Sequence, residues 1–550
     1  MLTRNAAPDG RPRTASWRQA LRCAAPGTIV AAVLLAPFLN KAFVVDDPGM
    51  LVEARQILRT PLRPLSGEIC WLDSETCGKV SDLSPGSALG AYFLVPAILL
   101  GHSEIVAHAM QLLALCLAIL ATAMLAFRLG LGRYGAAAAA LMVAVSPAVL
   151  PFASSALPDI LAMTLGVAGL ERLCAWKADG RAHQCAAAIA CLGLAPCARP
   201  HLLVLLAPAA LLLKGDGNCF SPRGWLDAPR RYWIVLIAAV LLALAVTKLY
   251  SEPGMPLHPP SFHLGRQFIL PNARAFLIYL VIAVPFTAPW LVLRLRGIRA
   301  ALAACLPVAA VLAWKALLDP TLQALWPVVE IVGATALAGA LAEAVRKREA
   351  VPLGLALWLL VPLAPVCYHQ LPLKYLAASA PAVAIVIAGL LERERQRLRV
   401  AAVGVLLVAS AVLSGLILAA DREFAETARR VSAEAIAPRV RSGQRVWCAG
   451  QWGFYWYAQE AGAKLSKPGG EVARPGDILV VGLIERGAGA LNRFPHRTLL
   501  ESKVYYALGG RTLSYIDRIS LYSNIFGERP WGWAPGEMAR YEVWRIDDSQ

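Results

Sequence analysis

Phe43-Val-Val-Asp46-Asp47-Pro-Gly-Met-Leu-Val-Glu53-Ala-Arg-Gln-Ile-Leu58 begins where the first long apolar segment of the chain ends. Two adjacent carboxylates are easily hydrated in an open loop and costly to hold against lipid. The stretch therefore marks a membrane–water boundary, with the acid pair at a membrane face.

The composition agrees with that reading. Of 550 residues, 58% are hydrophobic and 16% charged, against about 45–50% and about 25% in soluble domains. Apolar runs long enough to cross a bilayer recur along the chain, which predicts an α-helical polytopic membrane protein. The 53 Lys and Arg against 36 Asp and Glu leave a net charge of +17. These cations fall between the apolar runs, as the positive-inside rule requires, and not in a nucleic-acid-binding patch.

Residues 1–23 carry Arg4, Arg11, Arg13, Arg18 and Arg22 and read as a cytoplasmic, uncleaved N-terminus. The first span, 24–43, runs outward into a large polar loop over 44–85, broken by Pro61, Pro64, Gly67 and Gly78. Ser87–Gly101 is apolar but short for a crossing and is left out of the count. Spans then alternate about thirteen times through residue 420, with every strongly basic connection on the cytoplasmic side. That parity places Asp159, Arg199, His201, His258, His263, Arg266, His369 and Lys374 on the outer face with Asp46 and Asp47.

Residues 421–550 have soluble composition and read as a small α/β periplasmic domain. Its strands are expected at Arg445–Trp447, Asp477–Val481 and Arg540–Ile546, with a helix near Phe454–Gly462. Most of the 12 cysteines lie in or beside apolar runs as small hydrophobes. Cys70 and Cys77, seven residues apart in the first outer loop, are a candidate disulfide in an oxidising compartment. The chain has no P-loop, no GxGxxG after a strand, no HExxH, no zinc-spaced CxxC pair and no visible inverted repeat.

An outer face that combines carboxylates with cations suits a reaction in which an anionic group departs while a hydroxyl or amine loses a proton. The carboxylate acts as base, and Arg or Lys carries the departing phosphate. The same residues have a plainer reading. Asp46 or Asp47 before Pro-Gly, and Asp159 after Pro158, are residue types that cap helices. Arg199 is equally readable as a snorkelling cation, and Lys41 and Glu330 as functional or boundary charges.

The 43–58 stretch resembles the first-loop acidic motif of family 39-like glycosyltransferases, part of the GT-C superfamily. That family includes protein O-mannosyltransferases and aminoarabinose transferases. Leu83-Ser-Pro-Gly-Ser-Ala-Leu-Gly-Ala-Tyr-Phe-Leu94 is similar to the segment after that loop, although an Asn-Pro-Pro type sequence is common there. The stretch from Ser146-Pro147 to Asp159 resembles the second outer loop. Leu192-Gly-Leu-Ala-Pro-Cys-Ala-Arg199-Pro200 looks like a Gly-Leu-Ala-x-Leu-x-Lys-x-Pro hairpin, with Arg in place of Lys. Lys374-Tyr375 with Pro381 is similar to the late Arg-Tyr…Pro segment. In the tail, Trp447–Tyr455 and Leu521–Trp531 resemble a domain attached to some bacterial members.

The resemblance implies transfer of a sugar, with inversion, from a polyprenyl-phosphate donor to a glycan, lipid or protein acceptor outside a bacterial inner membrane. It implies no metal or other cofactor. Asp46 would be the base, with Asp47 as its understudy. Asp159 and Glu53 would serve the acceptor and donor site, and Arg199, Lys374 and Tyr375 the lipid phosphate. The alternatives are a polytopic lipid or solute transporter or flippase, or a membrane scaffold with a periplasmic binding domain. Charges at span ends rather than deep within spans speak against transport.

Overall fold

A computed structural model of the chain describes residues 16–70, 77–83, 88–214, 220–221, 229–251, 264–283, 326–392, 395–466 and 471–548. His258 and His263, both expected on the outer face, lie outside the described residues. The protein is mostly helical, with a strand-containing domain at its C-terminal end.

Among the described residues five helices are long and apolar enough to cross a membrane: Trp17–Phe38, Glu104–Arg128, Arg230–Tyr250, Leu373–Leu391 and Arg399–Arg441. Local sequence sets where two of them begin. Ser16 and Ser103 accept the backbone N–H groups of Gln19 and Val106, each at 3.3 Å, as N-caps do. Five shorter apolar helices pack among the long ones. The helix Ala88–Leu99 has 12 residues, a rise of about 18 Å against a hydrocarbon core of about 30 Å. By itself the helix is shorter than that core is thick.

Small side chains let these helices approach closely, as membrane bundles require. A Cβ on Gly27 would meet the Ala140 carbonyl oxygen at 3.1 Å, and one on Gly193 would meet that of Ala239 at 2.9 Å. The apolar run Tyr134–Phe152 is not one continuous helix. Its helix stops at Val145, and the chain turns through Pro147 into a short 3-10 segment, Pro151–Ser154. Proline lacks the N–H that a continuing helix would need.

Charged connections gather at two ends of the bundle. Glu392 accepts the backbone N–H groups of Gly132 and Gly135 at 2.9 and 2.8 Å, and Arg128 pairs with Glu171 at 2.6 Å. The basic connections near residues 130 and 395 therefore share one end. Asp46, Asp159, Arg199 and Lys374 meet at the other.

The C-terminal domain holds a five-stranded sheet in the order Lys464–Leu465, Val446–Ala449, Ile478–Gly482, Gly536–Ile546, Arg497–Ala507. The first three strands run parallel and the last two pairings are antiparallel. The helix Trp452–Glu460 connects the first two strands in sequence. The strand Arg497–Ala507 was not anticipated; its one-face signal is diluted by Glu501, Ser502 and Lys503. The expected boundary at 420/421 falls inside a helix. The helix Gln396–Val431 runs through it unbroken, and one apolar core contains residues of both the spans and the tail. Gly453 shows why: a Cβ there would meet the Phe43 carbonyl oxygen at 2.3 Å. In the first loop, the hairpin Glu68–Cys70 with Cys77–Lys79 sets Cys70 opposite Cys77 by backbone register. The side chains of that cysteine pair are outside the described residues.

Candidate active site

The two adjacent aspartates have different surroundings. Val45, just before them, has φ +42°, a conformation that a β-branched residue rarely adopts and that costs on the order of 1–3 kcal/mol. Asp47 holds this turn in place. Its Oδ2 accepts the Val44 N–H at 3.0 Å and its Oδ1 accepts the Ala156 N–H at 2.7 Å. Its side chain is fully buried, and burial pushes its carboxyl up to about 7, opposed by Lys41 and these two N–H groups. Asp47 thus fastens the first loop to the second. Asp46 makes no side-chain cap of the following helix, Asp47–Arg59. It turns instead to Lys374, with which it forms an ion pair. Glu53 lies fully buried two turns further along that helix.

The second carboxylate comes from the loop that Asp47 grips. Asp159 is the first residue of the helix Asp159–Asp179 but caps nothing with its side chain, contrary to the plainer reading of a residue after proline. It binds Arg199 with both oxygens, at 2.9 and 2.5 Å. Arg199 sits where the helix Ala182–Ala198 gives way to Pro200. Its guanidinium lies 5.5 Å above the Tyr375 ring, which His201 flanks at 4.7 Å between centroids. Four chain segments far apart in sequence therefore bring Asp46, Asp159, Arg199, Lys374 and Tyr375 into one cluster. Their exposures differ in a way that matters: the Asp46 side chain is 31% exposed, those of Lys374 and Asp159 5% and 2%. Arg266, expected among the same cations, is exposed at the start of a short 3-10 helix, Arg266–Phe268.

Behind this cluster lies a second one, of which the sequence marks only Lys41. Lys41 pairs with Asp421 at 2.6 Å, both fully buried. Asp421 also accepts Tyr522 Oη at 2.7 Å and Thr512 Oγ1 at 3.2 Å. The tail reaches the other side of the site through Asn524. Its Oδ1 accepts the Leu371 N–H at 2.7 Å, and its Nδ2 donates to Asn272 Oδ1 at 2.8 Å. Asn272 in turn donates to the Tyr368 carbonyl at 2.6 Å. The loop carrying Lys374 is thereby tied to the C-terminal domain. Tyr522 and Asn524 fall within the Leu521–Trp531 stretch singled out above, but nothing in the sequence alone tied them to Lys41 or Leu371.

The arrangement offers one partly exposed carboxylate beside a buried ammonium, next to a guanidinium already oriented by a second carboxylate. Two of the five N–H donors of Arg199 are committed to Asp159. Among the described residues, no group of three or more His, Cys, Asp or Glu side chains is placed to hold a metal ion.

No family model matches the chain, and no curated protein matches it. Among solved structures, it is similar to ArnT from Cupriavidus metallidurans bound to undecaprenyl phosphate. That match has 14% identity and a TM-score of 0.46, covering 98% of this chain and 100% of that one. It is similar to the oligosaccharyltransferase AglB from Archaeoglobus fulgidus, in complex with an inhibitory peptide and a dolichol-phosphate, at 13% identity and TM-score 0.42, covering 82% and 64%. It is also similar to the arabinofuranosyltransferase AftD from Mycobacteria at 15% identity and TM-score 0.39, covering 98% and 42%. At these identities the likeness is one of overall trace.

Proposed function

We propose that the protein is a membrane glycosyltransferase that moves a sugar from a polyprenyl-phosphate donor to an acceptor, at the end of the bundle where Asp46 lies. The observation that carries this reading is the division of labour between the two aspartates. Asp47 is spent on backbone N–H groups, while Asp46 stays partly exposed beside Lys374.

In the proposed step Asp46 takes the proton of the acceptor O–H or N–H. The nucleophile's lone pair forms the new bond to sugar C1, and the C1–O bond to phosphate breaks from the opposite side. One displacement inverts the anomeric centre. The electron pair leaves on the phosphate, whose charge falls to Lys374 and to the uncommitted donors of Arg199. Tyr375 supports the guanidinium from below, Asp159 orients it, and Glu53, buried two turns along the helix that Asp46 precedes, is a residue of the acceptor and donor site. The donor's lipid tail would lie among the apolar helices. No metal is required, the reaction end faces the periplasm of an inner membrane, and the acceptor is a glycan, lipid or protein.

The test is transfer by the purified protein from a panel of polyprenyl-phosphate sugars. Wild type should consume one of them, and Asp46→Asn should slow transfer about 10²–10⁴-fold while eluting and melting like wild type. Full activity in a folded Asp46→Asn variant would overturn the assignment.

A further inference from the structure

The C-terminal domain carries a solvent-facing apolar tip that no part of the proposed reaction uses. Leu508 is 89% exposed, Trp533 70% and Tyr506 63%. They form one patch. The Trp533 ring lies against Gly509, and the Ala534 N–H donates to the Gly509 carbonyl at 2.9 Å. Strand pairing sets Trp533 opposite Gly510.

The position of this tip identifies what meets it. Val405, Val408, Val412 and Leu416 are exposed along one face of the helix Gln396–Val431, at the three- and four-residue spacing of a single helical stripe. In a membrane-spanning helix an exposed stripe of valine and leucine faces lipid. Continued by the same spacing, the stripe reaches Ala419 and then Glu423, seven residues and about 10 Å beyond Leu416. The Glu423 Oε1 accepts the Leu508 N–H at 3.4 Å. The apolar tip therefore sits directly over the lipid-facing stripe, at the level where the helix leaves its apolar stretch. A tryptophan, a tyrosine and a leucine at that depth have the composition of an interfacial belt, in which aromatic rings settle among lipid headgroups.

We propose that Tyr506, Leu508 and Trp533 insert into the headgroup region of the bilayer. They would hold the C-terminal domain against the membrane beside the helix Gln396–Val431.

The test uses the full-length protein in phosphatidylethanolamine–phosphatidylglycerol vesicles, with photo-reactive benzoylphenylalanine in place of Leu508. Val472 serves as the reference position. It is 72% exposed and follows Glu471, which pairs with Lys464 on the strand at the opposite edge of the sheet. Irradiation should give lipid adducts at 508 and none at 472, as read by mass spectrometry. Equal labelling at both positions, or no lipid adduct at 508, would overturn the proposal. So would an adduct of twice the protein's mass at 508, which would assign the tip to a second copy of the chain. Each outcome is independent of whether sugar transfer is observed.

Discussion

Lys41 Nζ and Asp421 Oδ2 lie 2.6 Å apart, fully buried, though 380 residues separate them in sequence. The pair joins the outgoing end of the first helix to the long helix that leads into the C-terminal domain. Tyr522 and Thr512 complete the Asp421 carboxylate. Removing one member of a buried pair leaves an uncompensated charge and costs about 3–5 kcal/mol. Lys41→Met alone should therefore lower the melting temperature of the detergent-solubilised protein sharply. The double variant Lys41→Met with Asp421→Asn keeps an acceptor for Tyr522 and removes both charges, so it should recover more than half of the loss. A double variant no more stable than Lys41→Met would show that charge pairing is not what the contact contributes.

Arg199 meets Asp159 through two parallel hydrogen bonds while its guanidinium rests on Tyr375. Lysine preserves the charge but cannot supply the planar fork or the stacking. One charged hydrogen bond contributes about 1.5–3 kcal/mol, so Arg199→Lys should weaken sugar transfer roughly 10–100-fold. If Arg199 serves the phosphate, most of that loss should appear as a higher KM for the lipid-linked donor. A loss confined to kcat, with donor KM unchanged, would place Arg199 away from the ground-state phosphate.

How far the sequence revealed this site depends on the kind of signal each residue leaves. Asp46 was legible because a charged pair at the end of an apolar run is conspicuous. The alternation of spans then brought Asp159, Arg199 and Lys374 to the same end of the bundle. What the sequence could not supply was pairing. Arg199 and Lys374 read as free cations, whereas each is held by a carboxylate from a distant segment. The roles of Asp47 and Val45 depend on one backbone turn with a positive φ, and a β-branched residue carries no sequence mark for that. The fold was likewise legible in its helices. The division at residue 420 was not, because composition changes there while the helix continues and the packing crosses over. Asp421 looked like the first polar residue of a tail. In the structure it anchors that tail to Lys41.

Glu485 in the C-terminal domain gives a pH dependence of calculable sign. Burial raises its carboxyl from an ordinary 4.5 to about 7, with the Tyr541 hydroxyl, donating at 2.5 Å, acting in the opposite direction. The folded state thus holds this proton more tightly than the unfolded chain does. Its contribution is fully present below about 4.5, is lost as pH rises toward 7, and stays lost above. Glu485→Gln keeps an acceptor for Tyr541 without titrating. The variant should hold its stability between pH 5 and pH 8 better than wild type, by at most about 3 kcal/mol. Hydrogen exchange of the strand Gly536–Ile546 in the full-length protein reads this directly. Identical pH profiles for the two proteins would remove Glu485 as the titrating group.

The proposed reaction also makes a prediction about divalent cations. Asp46 is partnered by the Lys374 ammonium and Asp159 by the Arg199 guanidinium, so the site's two leading carboxylates already face organic cations. A metal ion bound to either would have to displace an existing ion pair. The charge on the departing phosphate can instead be met by Lys374 and Arg199, as it is wherever Arg and Lys carry phosphoryl groups. Transfer by protein exhaustively treated with a chelator should then match the untreated rate, and added magnesium or manganese should not raise it. A rate that collapses on chelation and returns with one of these ions would require a metal at the site. Asp46 would then be its leading candidate ligand rather than a free base.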